Sequence, residues 1–191
     1  MSSLYVDNIV PNLGSQVQIP NLKPLAGSVV QVQEVYTDDV YPSINSTAYA
    51  EVSSSLRVSI APTATTSKIK VEYFIPVNFQ TSVQVIWHNK IIRDPAGTPT
   101  DVTSIGSWAS KGNRSVCHTP MRGPSYDLND AAFIHIVAWD EPSTTSAVTY
   151  GWQAKRETGA TMTLQVSRSA ADSSVFGWVA PVYITATEYA Q

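Results

Sequence analysis

Four period-two segments fill the last third of the chain and leave little choice of fold: Phe133–Asp140, Ala147–Ala154, Thr161–Val166 and Val182–Tyr189. Apolar and polar side chains alternate within each, and short turn-rich breaks separate them. A helix gathers residues three and four apart on one face, so strict alternation fits strands instead. Spaced this way, the four predict an antiparallel β-module. The last segment runs almost to Gln191, which predicts a final strand held inside the sheet rather than a trailing tail.

The same alternation reaches back towards the N-terminus. Val29–Tyr36 reads as a strand with Val30, Val32 and Tyr36 on one face. Leu56, Val58 and Ile60 point inward with Arg57 and Ser59 outward. Lys68–Ile75 alternates charged and apolar side chains and must have one wet face. Val83–Asn89 follows the same logic, and Asn129–Ile134 reads as the start of a strand. No convincing amphipathic helix and no internal repeat occurs. Eight to ten strands of this spacing predict a β-sandwich or jelly roll. The missing Cys…Trp…Cys spacing disfavours an immunoglobulin fold.

Residues 1–27 differ from this body. Leu4–Ile9 and Gln16–Ile19 are short extended segments, and Pro11, Pro20 and Pro24 exclude a helix through them. So short a stretch buries little apolar surface by itself, which predicts an attachment arm ordered by a partner. Leu4, Tyr5, Val6, Ile9, Val17 and Ile19 are its candidate contacts. The expected division is an arm over 1–27 and a single β-domain over 28–191. The second irregular stretch, 93–130, is dense in turn formers. Long irregular connections in compact domains tend to be functional or interfacial, so Trp108, Arg114, His118, Arg122 and Tyr126 are the candidate exposed binding surface.

Composition narrows the function classes. Hydrophobic residues make up 43% and charged residues only 14% of the 191, so a core is available and the polar surface comes largely from Ser, Thr, Asn and Gln. A net charge of -3 argues against broad phosphate-backbone binding. The first residues have neither the basic region nor the apolar run of a signal peptide, and no segment is long enough to span a membrane. The expectation is a protein made in a cytoplasm without a secretion signal. The single cysteine, Cys117, excludes an intramolecular disulfide and is read as a plain thiol.

Chemistry-bearing constellations are absent. His88, His118 and His135 do not stand at ligand spacing, and adjacent Cys117 and His118 diverge in extended backbone, so neither a metal nor a nucleophile–base pair is expected. The carboxylates Asp38–Asp39, Asp127…Asp130 and Asp140–Glu141 are sequence neighbours rather than a pair across a sugar. Asp127 and Asp140 in particular read as solvated turn residues. No phosphate loop or nucleophile elbow occurs. The expectation is a chain without catalytic, cofactor or metal residues, and not an enzyme. The aromatics Trp87, Trp108, Trp139, Trp152, Trp178, Tyr126, Tyr150 and Tyr183 could include a sugar-stacking platform, but most read as core or subunit-interface residues, with Trp108 the exception.

Six stretches resemble the small virion structural proteins of tailed bacteriophages, especially phages of cyanobacteria. At the N-terminus these are Leu4-Tyr-Val-Asp-Asn-Ile9, Val17-Gln-Ile-Pro20 and Gly27-Ser-Val-Val-Gln-Val32. In the body they are Ser67-Lys-Ile-Lys-Val-Glu-Tyr73 and the hairpin Asp140-Glu-Pro-Ser-Thr-Thr-Ser-Ala-Val-Thr-Tyr150. At the C-terminus it is Ile184-Thr-Ala-Thr-Glu-Tyr189. Residues 76–130 depart from that pattern, being longer and richer in Pro and Trp. The resemblance implies a jelly-roll body like that of tumour-necrosis-factor or C1q domains, assembled as a homotrimer on a virion. The arm would dock to other virion structural proteins and the body would present a surface to the host, with a host-surface glycan as a further partner. A tail-fibre component is the first reading and a head decoration (cement) protein gripping the capsid lattice the alternative. Neither nucleic-acid binding nor membrane insertion is expected.

Overall fold

The computed structural model describes residues 24–38, 42–79, 85–102, 116–122, 131–157, 163–169 and 177–191. Among the described residues every helix or strand element is a strand: β1 (Val29–Thr37), β2 (Ser43–Ile44), β3 (Ala50–Glu51), β4 (Val58–Ile60), β5 (Lys68–Phe79), β6 (Ile86–Arg93), β7 (Thr100–Asp101), β8 (Thr119–Arg122), β9 (Ala132–Asp140), β10 (Val148–Arg156), β11 (Leu164–Val166) and β12 (Val182–Tyr189). The chain is all-β, and its strands form two antiparallel sheets.

In the first sheet β1 pairs with β12, β12 with β5, and β5 with β9. Strands β12 and β9 both pair with residues 69–74 of β5, so they lie on its opposite edges. Strand β11 continues along the β12 edge of β5, at Val77–Phe79, with β2 outside it. In the second sheet β10 pairs with β6 on one edge and with β3 and β4 in tandem on the other. The outer edge of β6 carries β8 and β7, again in tandem. The final strand β12 therefore sits between two others, as its alternation predicted.

The core lies between the sheets because the period-two pattern puts one side chain in two there. Ile69, Val71, Tyr73, Ile75 and Val77 of β5, Ile134 and Ile136 of β9, and Val182, Ile184 and Ala186 of β12 face Val58, Ile60, Trp87, Ile91, Val148, Tyr150, Trp152 and Ala154. Two of the polar tips inside this layer find acceptors, as buried donors require, whereas the buried Trp87 Nε1 has none among the described residues. Trp152 Nε1 donates to Asn89 Oδ1 at 3.1 Å, and Tyr73 Oη to the Leu56 carbonyl at 3.0 Å. Strand β6 runs to Arg93, four residues past the expected Asn89, because the alternation continues through Lys90 outward and Ile91 inward, and two charges disguise it.

Asp140 corrects the sequence reading. It was expected to be a solvated turn residue, yet it is only 5% exposed. Its carboxylate accepts from Tyr150 Oη at 2.9 Å and from the Arg93 guanidinium at 3.1 Å. Parity explains this: Asp140 follows Ile134, Ile136 and Ala138 on the inward side of β9, where the other sheet supplies donors that local sequence cannot reveal. Burial, then the Asp140 charge and hydrogen bond, push the Tyr150 phenol far up. The hairpin motif that carries the phage resemblance thus begins and ends on one buried clamp.

A second buried carboxylate, Glu188, fastens the 61–67 connection between β4 and β5. It accepts from Gln31 Nε2 (2.6 Å), Thr63 N (2.7 Å), Thr63 Oγ1 (2.6 Å) and Ser67 Oγ (2.6 Å). Burial alone would raise its pKa, but the bonds from Ser67, Thr63 and Gln31 outweigh that and hold it below the usual carboxylate range.

Candidate functional site: an open aromatic sheet face

Among the described residues, the outward side of the first sheet carries a contiguous set of uncovered apolar side chains. On it stand Val32, Glu34 and Tyr36 of β1, Tyr183, Thr185 and Thr187 of β12, Lys70, Glu72 and Phe74 of β5, and Phe133, His135, Val137 and Trp139 of β9. The register aligns them in rows across the strands. One row is Tyr36–Tyr183–Phe74–His135, the next Glu34–Thr185–Glu72–Val137, and the third Val32–Thr187–Lys70–Trp139. Phe133 lies one step beyond the first row, opposite Pro76.

The rings touch one another. Tyr36 meets Tyr183 edge-on with centroids 5.2 Å apart, Phe74 stacks on Phe133 at 5.1 Å, and Trp139 leans on Tyr189 at 5.1 Å. Exposure of Val32, Tyr36, Phe74, Phe133, Val137 and Tyr183 runs from 37% at Val137 to 58% at Tyr36. Scattered exposed apolar residues are ordinary, but a contiguous set on one face marks a contact surface. Rings that carry a large area on few rotatable bonds are the residues that interfaces favour.

The charges on this face largely cancel. Lys70 pairs with Glu72 at 3.0 Å, Lys68 with Glu141 at 3.1 Å, and His135 Nε2 lies 3.6 Å from Glu72. Such a surface suits an uncharged or self-complementary partner, since burying it strands few lone charges. Glu34 makes neither an ion pair nor a side-chain hydrogen bond among the described residues.

The outward side of the second sheet is built differently. Ile92 and His88 point outward there yet are 1% and 6% exposed, because the chain folds back over them. Gly151, opposite Ile92, has Pro95 Cγ 3.0 Å and Glu51 Oε1 3.1 Å from where a Cβ would sit, so a larger residue there would push these neighbours back by a few tenths of an ångström. His118 pegs that segment down. Its Nδ1 accepts from Ile91 N at 3.1 Å, and Nε2, as the protonated nitrogen of that tautomer, donates to the Val102 carbonyl at 3.1 Å. Burial lowers its pKa to about 4. Tyr49 lies over the same side, its ring 4.2 Å from Lys90 Nζ and 4.8 Å from Lys155 Nζ, and its hydroxyl donates to the Val116 carbonyl.

Of the sequence-derived surface candidates, His118 is therefore half-buried with its ring occupied, and Arg122 is exposed at the end of β8. Trp108, Arg114 and Tyr126 lie outside the described residues, as do the arm candidates Leu4, Tyr5, Val6, Ile9, Val17 and Ile19. The aromatic face was missed as a site, although part of its signal was readable. Phe74 shares parity with Lys68, Lys70 and Glu72, and Phe133, Val137 and Trp139 share parity opposite Ile134, Ile136 and Ala138. Large apolar residues on the wet side of a strand are the clue.

Among the described residues no three His, Cys, Asp or Glu side chains converge as a metal cluster would require, and no helix is long and apolar enough to cross a membrane. Cys117 is a free, half-buried thiol whose pKa burial raises. No protein-family model matches the chain, and no curated protein sequence matches it either.

Proposed function

We propose that this chain is a non-enzymatic structural protein of a phage virion, a tail-fibre component that associates as a homotrimer through the open aromatic face and presents its β-sandwich to the host surface. The observation that carries the association is the row Tyr36–Tyr183–Phe74–His135 with Phe133 beside it, a contiguous exposed set on one sheet face. Closed symmetry would bury that face and hide the sheet edges beside it.

The strand pairing supports a jelly-roll body. Pairs β1·β12, β4·β10, β5·β9 and β6·β8 nest one inside the next, as they do when one long hairpin of eight strands is rolled into two sheets. The virion assignment rests on the resemblance at Asp140–Tyr150 and at the two termini, and the trimer is what that resemblance implies.

Sedimentation of the full chain is the test. A threefold species at micromolar concentration that dissociates in Phe74→Glu, with the far-UV spectrum unchanged, is the expected result. A clean monomer of the unaltered protein sinks the association. An antibody raised against the chain should label tails of phage particles, and labelling confined to heads would replace the tail reading by decoration of the capsid.

A further inference from the structure

We infer that neighbouring copies meet edge strand to edge strand, β1 of one against β9 of the next, with Glu34 facing His135 across the contact. The inference rests on the proposed association through the open face and adds its polarity and its dependence on pH. Three four-stranded faces turned towards one axis make a triangular prism. The middle strands β12 and β5 then line the axis, and the edge strands β1 and β9 abut their neighbours.

Those two edges carry matching patterns. Outward from β1 stand Val32, Glu34 and Tyr36; outward from β9 stand Phe133, His135 and Val137. Each is an apolar pair flanking one ionisable residue, and the signs are opposite. Both triplets have the same two-residue step, about 7 Å along a strand. One docking register therefore pairs the ionisable members and the apolar members together, whichever way the strands run. Edge β1 against a second β1 would set Glu34 on Glu34, and β9 against β9 would set imidazole on imidazole. The pattern favours head-to-tail contact, which closes into a ring instead of a two-fold pair.

The charged groups around His135 fix the sign of the pH effect. In its own copy the ring has Glu72 at 3.6 Å, and Lys70 in turn bonds Glu72 at 3.0 Å. From the neighbouring edge come Glu34 and, beyond the strand end, Asp38. An imidazolium placed between Glu72 and Glu34 is stabilised by both, whereas a neutral ring leaves Glu34 desolvated without a counter-charge. Contact therefore favours the charged ring, and association should tighten as the pH falls.

The test follows association of the full chain by sedimentation at pH 8 and pH 5.5. The unaltered protein should bind its neighbours roughly tenfold more tightly per contact at the lower pH, as for one charge-assisted pair. Glu34→Gln should flatten that dependence without abolishing association, and exchanging the two residues (Glu34→His with His135→Glu) should restore it. Association with an unchanged pH profile in Glu34→Gln, or a two-fold dimer as the end state, overturns the inference while leaving the open face as the contact surface. A protein that stays monomeric at both pH values overturns both.

Discussion

The two outer faces of this molecule solve one problem in opposite ways. On the second sheet the chain roofs itself: Ile92 is 1% exposed beneath the returning 94–102 segment, with His118 holding the cover down at Val102. On the first sheet Phe74, Phe133, Tyr36 and Tyr183 are left open. Both faces carry apolar residues, so the presence of such residues does not distinguish them. What distinguishes them is whether the chain spends a segment of its own on the covering. A sheet face that its own chain leaves bare is where a second molecule belongs.

The contrast holds only while the two sheets keep one orientation, and Asp140 is a buried tie between them. It joins β9 of the first sheet to Arg93 of β6 and Tyr150 of β10 in the second. Asp140→Ala leaves a buried phenol without its acceptor and a partly buried guanidinium without its counter-charge. It should cost about 2–4 kcal/mol in urea unfolding. A loss under about 0.5 kcal/mol, the usual range for a surface substitution, would mean that the clamp does not hold the sheets together.

The roof can be tested where it is tightest. Gly151→Ala puts a methyl group against Pro95 Cγ at 3.0 Å and Glu51 Oε1 at 3.1 Å. Either the 94–102 segment lifts or β10 shifts, at about 1–3 kcal/mol as for other overpacked sites. Thr185→Ala, on the open face, should change monomer stability by under about 0.5 kcal/mol. Equal losses at the two positions would erase the distinction between roofed and open faces.

Much of this architecture was legible in the residues, because alternation is a local property. Leu56, Val58 and Ile60 are inward as their spacing demanded, and β12 spans Val182–Tyr189 as read. What a strand cannot tell is which of its faces meets the other sheet when both carry apolar residues. In β1 the pattern grouped Val30, Val32 and Tyr36; only pairing with β12 shows that Val32 and Tyr36 form the open side while Val35 packs on the core. Asp140 was misread for the same reason, since its partners stand 47 and 10 residues away. Attention to 93–130 looked for function in irregularity, and so passed over the open aromatic face, which among the described residues lies on regular strands.

A dependence on pH separates the faces by their histidines. His118 pegs the roof as a neutral ring, and its folded pKa of about 4 lies below the ordinary value of 6.5. The unfolded chain therefore takes up the proton first, and stability must fall as pH drops from 6.5 towards 4 and stay flat above 6.5. The Glu188 carboxylate, held below its usual range, adds a loss only at lower pH, once pH falls below the unfolded carboxylate value and on through its own lower one. Measuring between pH 7 and pH 5 isolates the histidine. Urea unfolding of Phe74→Glu, the variant expected to remove the proposed association, should lose on the order of 1–2 kcal/mol over that interval. Adding His118→Gln should abolish the slope, whatever it does to the overall level. His135 on the open face works in the other direction, favouring contact as it charges. Mild acid should then loosen the covered face and tighten the bare one, and a roof whose stability ignores pH would show that His118 is not its peg.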